Sequence, residues 1–180
     1  MLLTSDPYSC DGAISHANDW LVVMPIYVDG RVVGWASMFG HMSDVGGKTV
    51  SSMPTDAHTI YEEGVVIPPF KLYAGGVLNE DALRIILNQV RKPDWNRADL
   101  NGLVAACRTA SRRVVEMCER FGTATYLSAL DALLQRNYDA MKVLLQMVFE
   151  EGRTLSFTDY ICDDGVGNGP YELKLSLTRT

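Results

Sequence analysis

A β-hairpin bracketed by one motif used twice constrains this chain more than anything else in it. Trp20 to Val28 (WLVVMPIYV) is apolar and β-prone, Asp29-Gly30 is a strong two-residue turn signal, and Arg31 to Phe39 (RVVGWASMF) runs back. His16-x-x-Asp19 ends where the first strand begins, and His41-x-x-Asp44 follows the second. With Asp29-Gly30 in the turn, Val28 faces Arg31, and the same register puts Asp19 opposite Gly40 and Asn18 opposite His41. Opposed Cβ atoms lie about 4.5–5.5 Å apart, so two imidazoles and two carboxylates gather at the open end of the hairpin. One His-x-x-Asp alone is more often a hydrogen-bonded pair at a strand end. The duplication, and a turn that folds one copy against the other, predicts a metal site with His16, Asp19, His41 and Asp44 as ligands. Mixed nitrogen and oxygen donors suit Mn²⁺, Fe²⁺ or Zn²⁺. The third histidine, His58, follows Pro54 and Asp56 in a polar stretch and is expected on the surface.

Charge and composition narrow the partners. The chain of 180 residues is 47% hydrophobic and 21% charged, enough for a single domain over 1–180 with a real core. A net charge of −6 without a basic cluster argues against nucleic acid. No apolar run has membrane-spanning length, and the N-terminus has no signal-peptide pattern, so a cytoplasmic protein is expected. The cysteines Cys10, Cys107, Cys118 and Cys162 form no C-x-x-C pair. Cys107 and Cys118 would stand roughly 16 Å apart on one helix, too far for a disulfide. Buried, reduced thiols are expected.

The fold class read from the pattern is α+β. An N-terminal hairpin region with Pro/Gly-rich loops comes first, then a long antiparallel helix pair, then a C-terminal β-hairpin. Asn79 caps a helix that carries Leu83, Ile86, Leu87 and Val90 and runs until Pro93. A second helix covers about Ala98 to Phe121, with Gly122 ending it. A third covers about Tyr126 to Glu150, and the short link predicts that the two long helices pair. Arg108, Arg112 and Arg113 read as a solvated or salt-bridged helix face. Gly47-Lys48-Thr49 is not a phosphate loop, because Met42 stands where a glycine is needed and no helix follows. Leu155–Ile161 and Tyr171–Thr178 read as paired strands. The acids of Asp163-Asp164-Gly165-Val166-Gly167-Asn168-Gly169 lack EF-hand spacing and read as a turn. The terminal strand wants more neighbours than one, so the chain is expected to be part of something larger.

These blocks resemble the hydantoinase B/oxoprolinase family, which includes B-type subunits of ATP-dependent hydantoinases and related subunits of acetone and acetophenone carboxylases. The resemblance is carried in order by Ser5-Asp6-Pro7-Tyr8, His16-x-x-Asp19, Gly40-His41-Met42-Ser43-Asp44-Val45-Gly46-Gly47 and Ser52-Met53-Pro54. Glu62-Glu63-Gly64, Ile67-Pro68-Pro69-Phe70-Lys71-Leu72-Tyr73 and Gly76-Val77-Leu78-Asn79-Glu80-Asp81 continue it. Ala105-Ala106-Cys107-Arg108 and Asp163-Asp164-Gly165-Val166-Gly167 complete it. Family members are much longer, so the chain resembles an internal portion. Where the family more usually has His-Leu-Pro-Asp, this sequence has His16-Ala17-Asn18-Asp19.

The resemblance implies a divalent metal (Mn, Zn or Fe) on His16, Asp19, His41 and Asp44. It also implies a hetero-oligomer with an A-type subunit that binds ATP and activates a carbonyl by phosphorylation. The implied activity is ATP-dependent hydrolysis of a small cyclic amide. Carboxylation of a ketone is the alternative, and an inactive fragment or assembly subunit is the second alternative. Alone, the chain is expected to have no ATPase activity and to associate through its terminal strand.

Overall fold

A computed structural model describes residues 1–50 and 54–179. Ser52 and Met53 of the Ser52-Met53-Pro54 block therefore lie outside the described residues. Contacts gather the chain into two compact units, Met1–Thr123 and Ala124–Thr180, each described by itself.

The first unit contains β1 (Leu2–Thr4), β2 (Asp19–Val28), β3 (Arg31–His41), α1 (Ile60–Glu63), β4 (Phe70–Lys71), β5 (Tyr73–Ala74), β6 (Val77–Leu78), α2 (Glu80–Leu87) and α3 (Pro93–Phe121). Its main sheet has the order β3-β2-β1-β4, antiparallel throughout. Alternation decides the faces. Trp20, Val22 and Ile26 of β2 are buried on one side, with Leu3 of β1 opposite Val22. That side is covered by α3, whose buried Leu100, Val104 and Cys107 recur at helical spacing. The Cys107 thiol lies 3.8 Å from the Val22 carbonyl, and burial pushes its pKa up. Leu100 is 1% exposed. Leu100→Ala is expected to cost about 2–5 kcal/mol in chemical denaturation, and an unchanged midpoint would mean that α3 does not seal the sheet.

The hairpin differs from its expected register in one respect that matters. Val28↔Arg31 and Tyr27↔Val32 pair as expected, but a β-bulge follows, and Ile26 then faces Gly34. Val33 is the extra residue. From there to the open end every pairing is shifted by one, so Asp19 faces His41 and Trp20 faces Gly40. In the unbulged register Asp19 and His41 would have pointed to opposite faces of the sheet.

The helices also correct the sequence reading. Asn79 caps α2 by accepting the Ala82 N–H at 3.1 Å. Pro93 does not end the helical region; it opens α3 at the first helical position, where a missing N–H costs nothing. The apolar stripe of α3 packs on β2 and β3. The face is ion-paired where expected, with Arg113 2.7 Å and Arg112 3.8 Å from Glu116, while Arg108 stacks over Tyr73. All but the first residue of α4 (Thr123–Val148) belongs to the second unit, and α4 buries none of its residues. Its Leu134, Tyr138 and Met141 stay exposed.

The second unit adds β7 (Thr154–Ile161) and β8 (Tyr171–Thr178), an antiparallel pair running from Thr154↔Thr178 to Ile161↔Tyr171. The loop between them is a turn, as expected. Asp164 accepts hydrogen bonds from Asn168, Val166 and Tyr171, and the Asn168 side chain leads in holding its carboxyl far below the usual range. All four cysteines are free, but only Cys107 and Cys118 are buried; Cys162 is exposed in this loop.

Candidate metal centre

Three of the four expected ligands converge. His16, Asp19 and His41 each offer a donor atom, all within 4.8 Å of one another. Asp19, at the start of β2, stands between the two imidazoles. Its Oδ1 is 3.0 Å from His41 Nε2, and its Oδ2 is 3.4 Å from His16 Nε2. The rings of His16 and His41 meet edge-on at 4.9 Å between centroids. The bulge supplies this arrangement by bringing His41 to the face of Asp19, and the tight turn that bonds the Asp19 N–H to the His16 carbonyl folds His16 back over both.

The cluster is graded in exposure. His16 and Asp19 side chains are 11% and 13% exposed, whereas His41 is 66% exposed and faces solvent. Two buried atoms with lone pairs, His16 Nδ1 and Asp19 Oδ1, take no hydrogen bond from the protein. Buried polar atoms without a hydrogen-bond partner are costly. Donor separations of 3.0 and 3.4 Å also match the edges of a coordination polyhedron with bonds of about 2.0–2.2 Å. The residues fit a divalent ion held by two nitrogens and one carboxylate. His16, Asp19 and His41 would hold such an ion, with His41 on the solvent side.

Asp44 has another partner. Its side chain is fully buried, and both oxygens are taken by Arg91: the guanidinium Nη2 at 2.6 Å, Nε at 3.1 Å, and the backbone N–H at 2.6 Å. Burial alone would raise its pKa; the Arg91 hydrogen bonds and charge outweigh that and hold it below the usual carboxylate range. Asn96 in the first turn of α3 donates to the Asp44 backbone carbonyl. Arg91 reaches on to the Gly47 and Thr49 carbonyls at 2.8 and 3.1 Å. Asp44 therefore pins the loop after β3 to the α2–α3 junction. The two glycines that follow serve the same packing: a Cβ on Gly46 would strike the Gln89 carbonyl, and one on Gly47 the Glu63 carbonyl.

His58 is on the surface, as expected, beside a second polar knot. Lys48 bonds Glu62 at 2.9 Å, and Glu62 accepts the His58 and Thr59 N–H groups. Led by the Lys48 bond, these lower the Glu62 pKa to about 2.

A cavity of about 210 Å³ opens beside Asp19, lined by Gly12 to Ser15, Leu21 and Phe39. The sequence reading passed over these residues. Leu21 and Phe39 are directly paired across β2 and β3, next to Asp19↔His41, so the hairpin alternation contained the signal once the bulge was known. The 12–15 loop carries no such signal.

The hydantoinase B/oxoprolinase family profile matches residues 1–180. The caprolactamase subunit beta of Pseudomonas jessenii is 32% identical over 164 residues, covering 91% of this chain and 27% of that one. The acetophenone carboxylase delta subunit of Aromatoleum aromaticum is 34% identical over 119 residues, covering 64% of this chain and 17% of that one. The crystal structure of ATP-dependent caprolactamase from Pseudomonas jessenii superimposes with a TM-score of 0.79 at 30% identity, over 93% of this chain and 28% of that one. The chain thus spans between 17% and 28% of the length of these relatives. With a match that runs from the first residue to the last, the chain belongs to the hydantoinase B/oxoprolinase family.

Proposed function

We propose that the chain forms the metal-binding part of a B-type subunit in an ATP-dependent cyclic-amide hydrolase, working beside an A-type subunit that binds ATP. The observation that carries this reading is the His16–Asp19–His41 cluster at the mouth of a small cavity in a chain of this family. His16, Asp19 and His41 would hold a divalent ion, which would supply Lewis acidity toward a carbonyl or water. The chain's own residues contribute orientation and proton handling. Asp19 fixes both imidazoles, buried His16 anchors the inner side, and His41 stands where solvent and substrate reach it. Leu21 and Phe39 form the adjoining wall. No phosphate loop occurs in the sequence, which fits ATP binding on another subunit. Among the described residues no helix is long and apolar enough to cross a membrane, and a cytoplasmic hetero-oligomer is the setting we favour.

Ketone carboxylation is the second reading, favoured by the similarity to the acetophenone carboxylase subunit. The two separate in one experiment on the complete subunit with its ATP-binding partner. Incubation with ATP, a lactam and labelled bicarbonate is expected to give ring-opened amino acid without label, and the 180-residue chain alone is expected to hydrolyse no ATP. Label transferred from bicarbonate into a ketone supplied in place of the lactam selects the carboxylase. Absence of both products from a metal-loaded complex selects an assembly subunit.

A further inference from the structure

We infer that two copies of the chain pair edge to edge through β8, antiparallel and in a register centred on Leu173. The inference goes beyond the metal and the reaction and depends on neither. In the second unit β7 and β8 form a sheet of two strands, and a sheet that small is marginal by itself. Its two edges are not equivalent. β7 sets Asp159 opposite Leu173, on the face that also carries Phe157 and Leu175. A charge pointing into an apolar face is a device that blocks edge pairing. β8 has no such block. Tyr171, Leu173 and Leu175 share its apolar face by alternation, and its two charged residues, Glu172 and Lys174, lie on the other face, 2.7 Å apart. Among the described residues no strand pairs with the outer edge of β8, which leaves that edge open to strand addition.

Charge selects a second copy as the occupant and fixes the register. Opposed residues share a face, so the apolar side stays continuous across a symmetric seam only when one residue faces its own counterpart. Centring on Lys174 would oppose two ammonium groups, which is destabilising. Centring on Leu175 would set Glu172 against the second copy's Thr178 and give it no cation. Centring on Leu173 sets Glu172 opposite the second copy's Lys174, and Lys174 opposite its Glu172. The four charges then alternate around the seam. On the other face Leu173 meets its counterpart and Tyr171 meets Leu175. The seam runs from Tyr171 to Leu175 on each strand, and the two marginal hairpins become one sheet of four strands.

The test is sedimentation equilibrium on the 180-residue chain, which is expected to show a monomer–dimer equilibrium. Glu172→Lys turns both cross-seam attractions into repulsions and is expected to weaken the dimer by about tenfold at low salt. Lys174→Glu alone should do the same. Combining the two changes restores the alternation and is expected to recover the dimer, which a variant that merely misfolds would not do. Disulfide trapping reads the register, in a Cys162→Ser background that removes the exposed thiol. Leu173→Cys sets two thiols directly opposite, about 4.5–5.5 Å apart at Cα, and is expected to cross-link on oxidation. Leu175→Cys leaves them four residues apart along the seam, at least about 13 Å, and is expected not to. A chain that stays monomeric, association that the single charge changes leave intact, or cross-linking through position 175 rather than 173 overturns the inference.

Discussion

Asp19→Ala is expected to abolish the stoichiometric divalent-metal binding we propose, read by elemental analysis after dialysis against Mn²⁺ or Zn²⁺, while the helical circular dichroism signal stays intact. Asp19 is the carboxylate of the three-residue cluster and the group that both imidazoles face. Its loss would remove the proposed anionic ligand and the group that the two imidazoles face. Losing an outer-shell partner of a metal ligand already costs 10–100-fold in affinity, so losing the ligand itself should cost at least about 100-fold. His41→Ala should weaken binding less, because its ring is mostly exposed and water can take its position. The discriminating control is Asp44→Asn. With both Asp44 oxygens engaged by Arg91, metal content should not change in that variant. An emptied site there would make Asp44 a ligand and overturn the assignment.

Asp44→Ala, by contrast, is expected to be among the most destabilising single changes in the first unit. Removing one partner of a buried ion pair costs about 3–5 kcal/mol. The Arg91 side chain is 45% exposed and can rehydrate, so the low end, about 3 kcal/mol, is the expected loss in urea denaturation. The pH dependence follows from the depressed carboxyl. In the unfolded chain Asp titrates near 3.9, and in the fold it titrates lower. Its contribution is therefore complete above about pH 4 and is lost as pH falls from there through the folded value. The stability gap between the unmodified chain and Asp44→Asn should hold between pH 5 and 7 and shrink steadily below about 4. A gap that widens in acid would contradict the ion pair.

Local chemistry made part of this fold legible and left the rest unreadable. The Asp29-Gly30 turn, the alternation in β2 and the Asn79 cap each act within a few residues, and each element stands where its signal predicts. Pro93 misled because the same fixed φ that stops one helix starts the next. β1 is three residues long and owes its existence to pairing with β2 and β4, the latter 67 and 69 residues away in sequence for the pairs Leu3↔Phe70 and Leu2↔Lys71, and no local pattern announces that. The site divided the same way. The hairpin pattern anticipates that His16, Asp19 and His41 cluster, and their role as ligands is our proposal. Asp44 shares the motif but was claimed by Arg91, 47 positions along the chain, and nothing in a four-residue pattern reports such a partner.

The Val33 bulge has a consequence for how this hairpin tolerates change. Side chains in a strand take one of two directions, so the hairpin works as a parity count between the turn and the cluster. The bulge is the one odd step that makes the count come out with Asp19 and His41 on the same side. Insertion or removal of a single residue anywhere between Gly30 and His41 would reverse that parity unless a compensating bulge formed. Such a change, far from the imidazoles and conservative in composition, would act on the site as severely as replacing a ligand. The length of β3 is thus part of the site's specification, alongside the identities of the three residues that converge there.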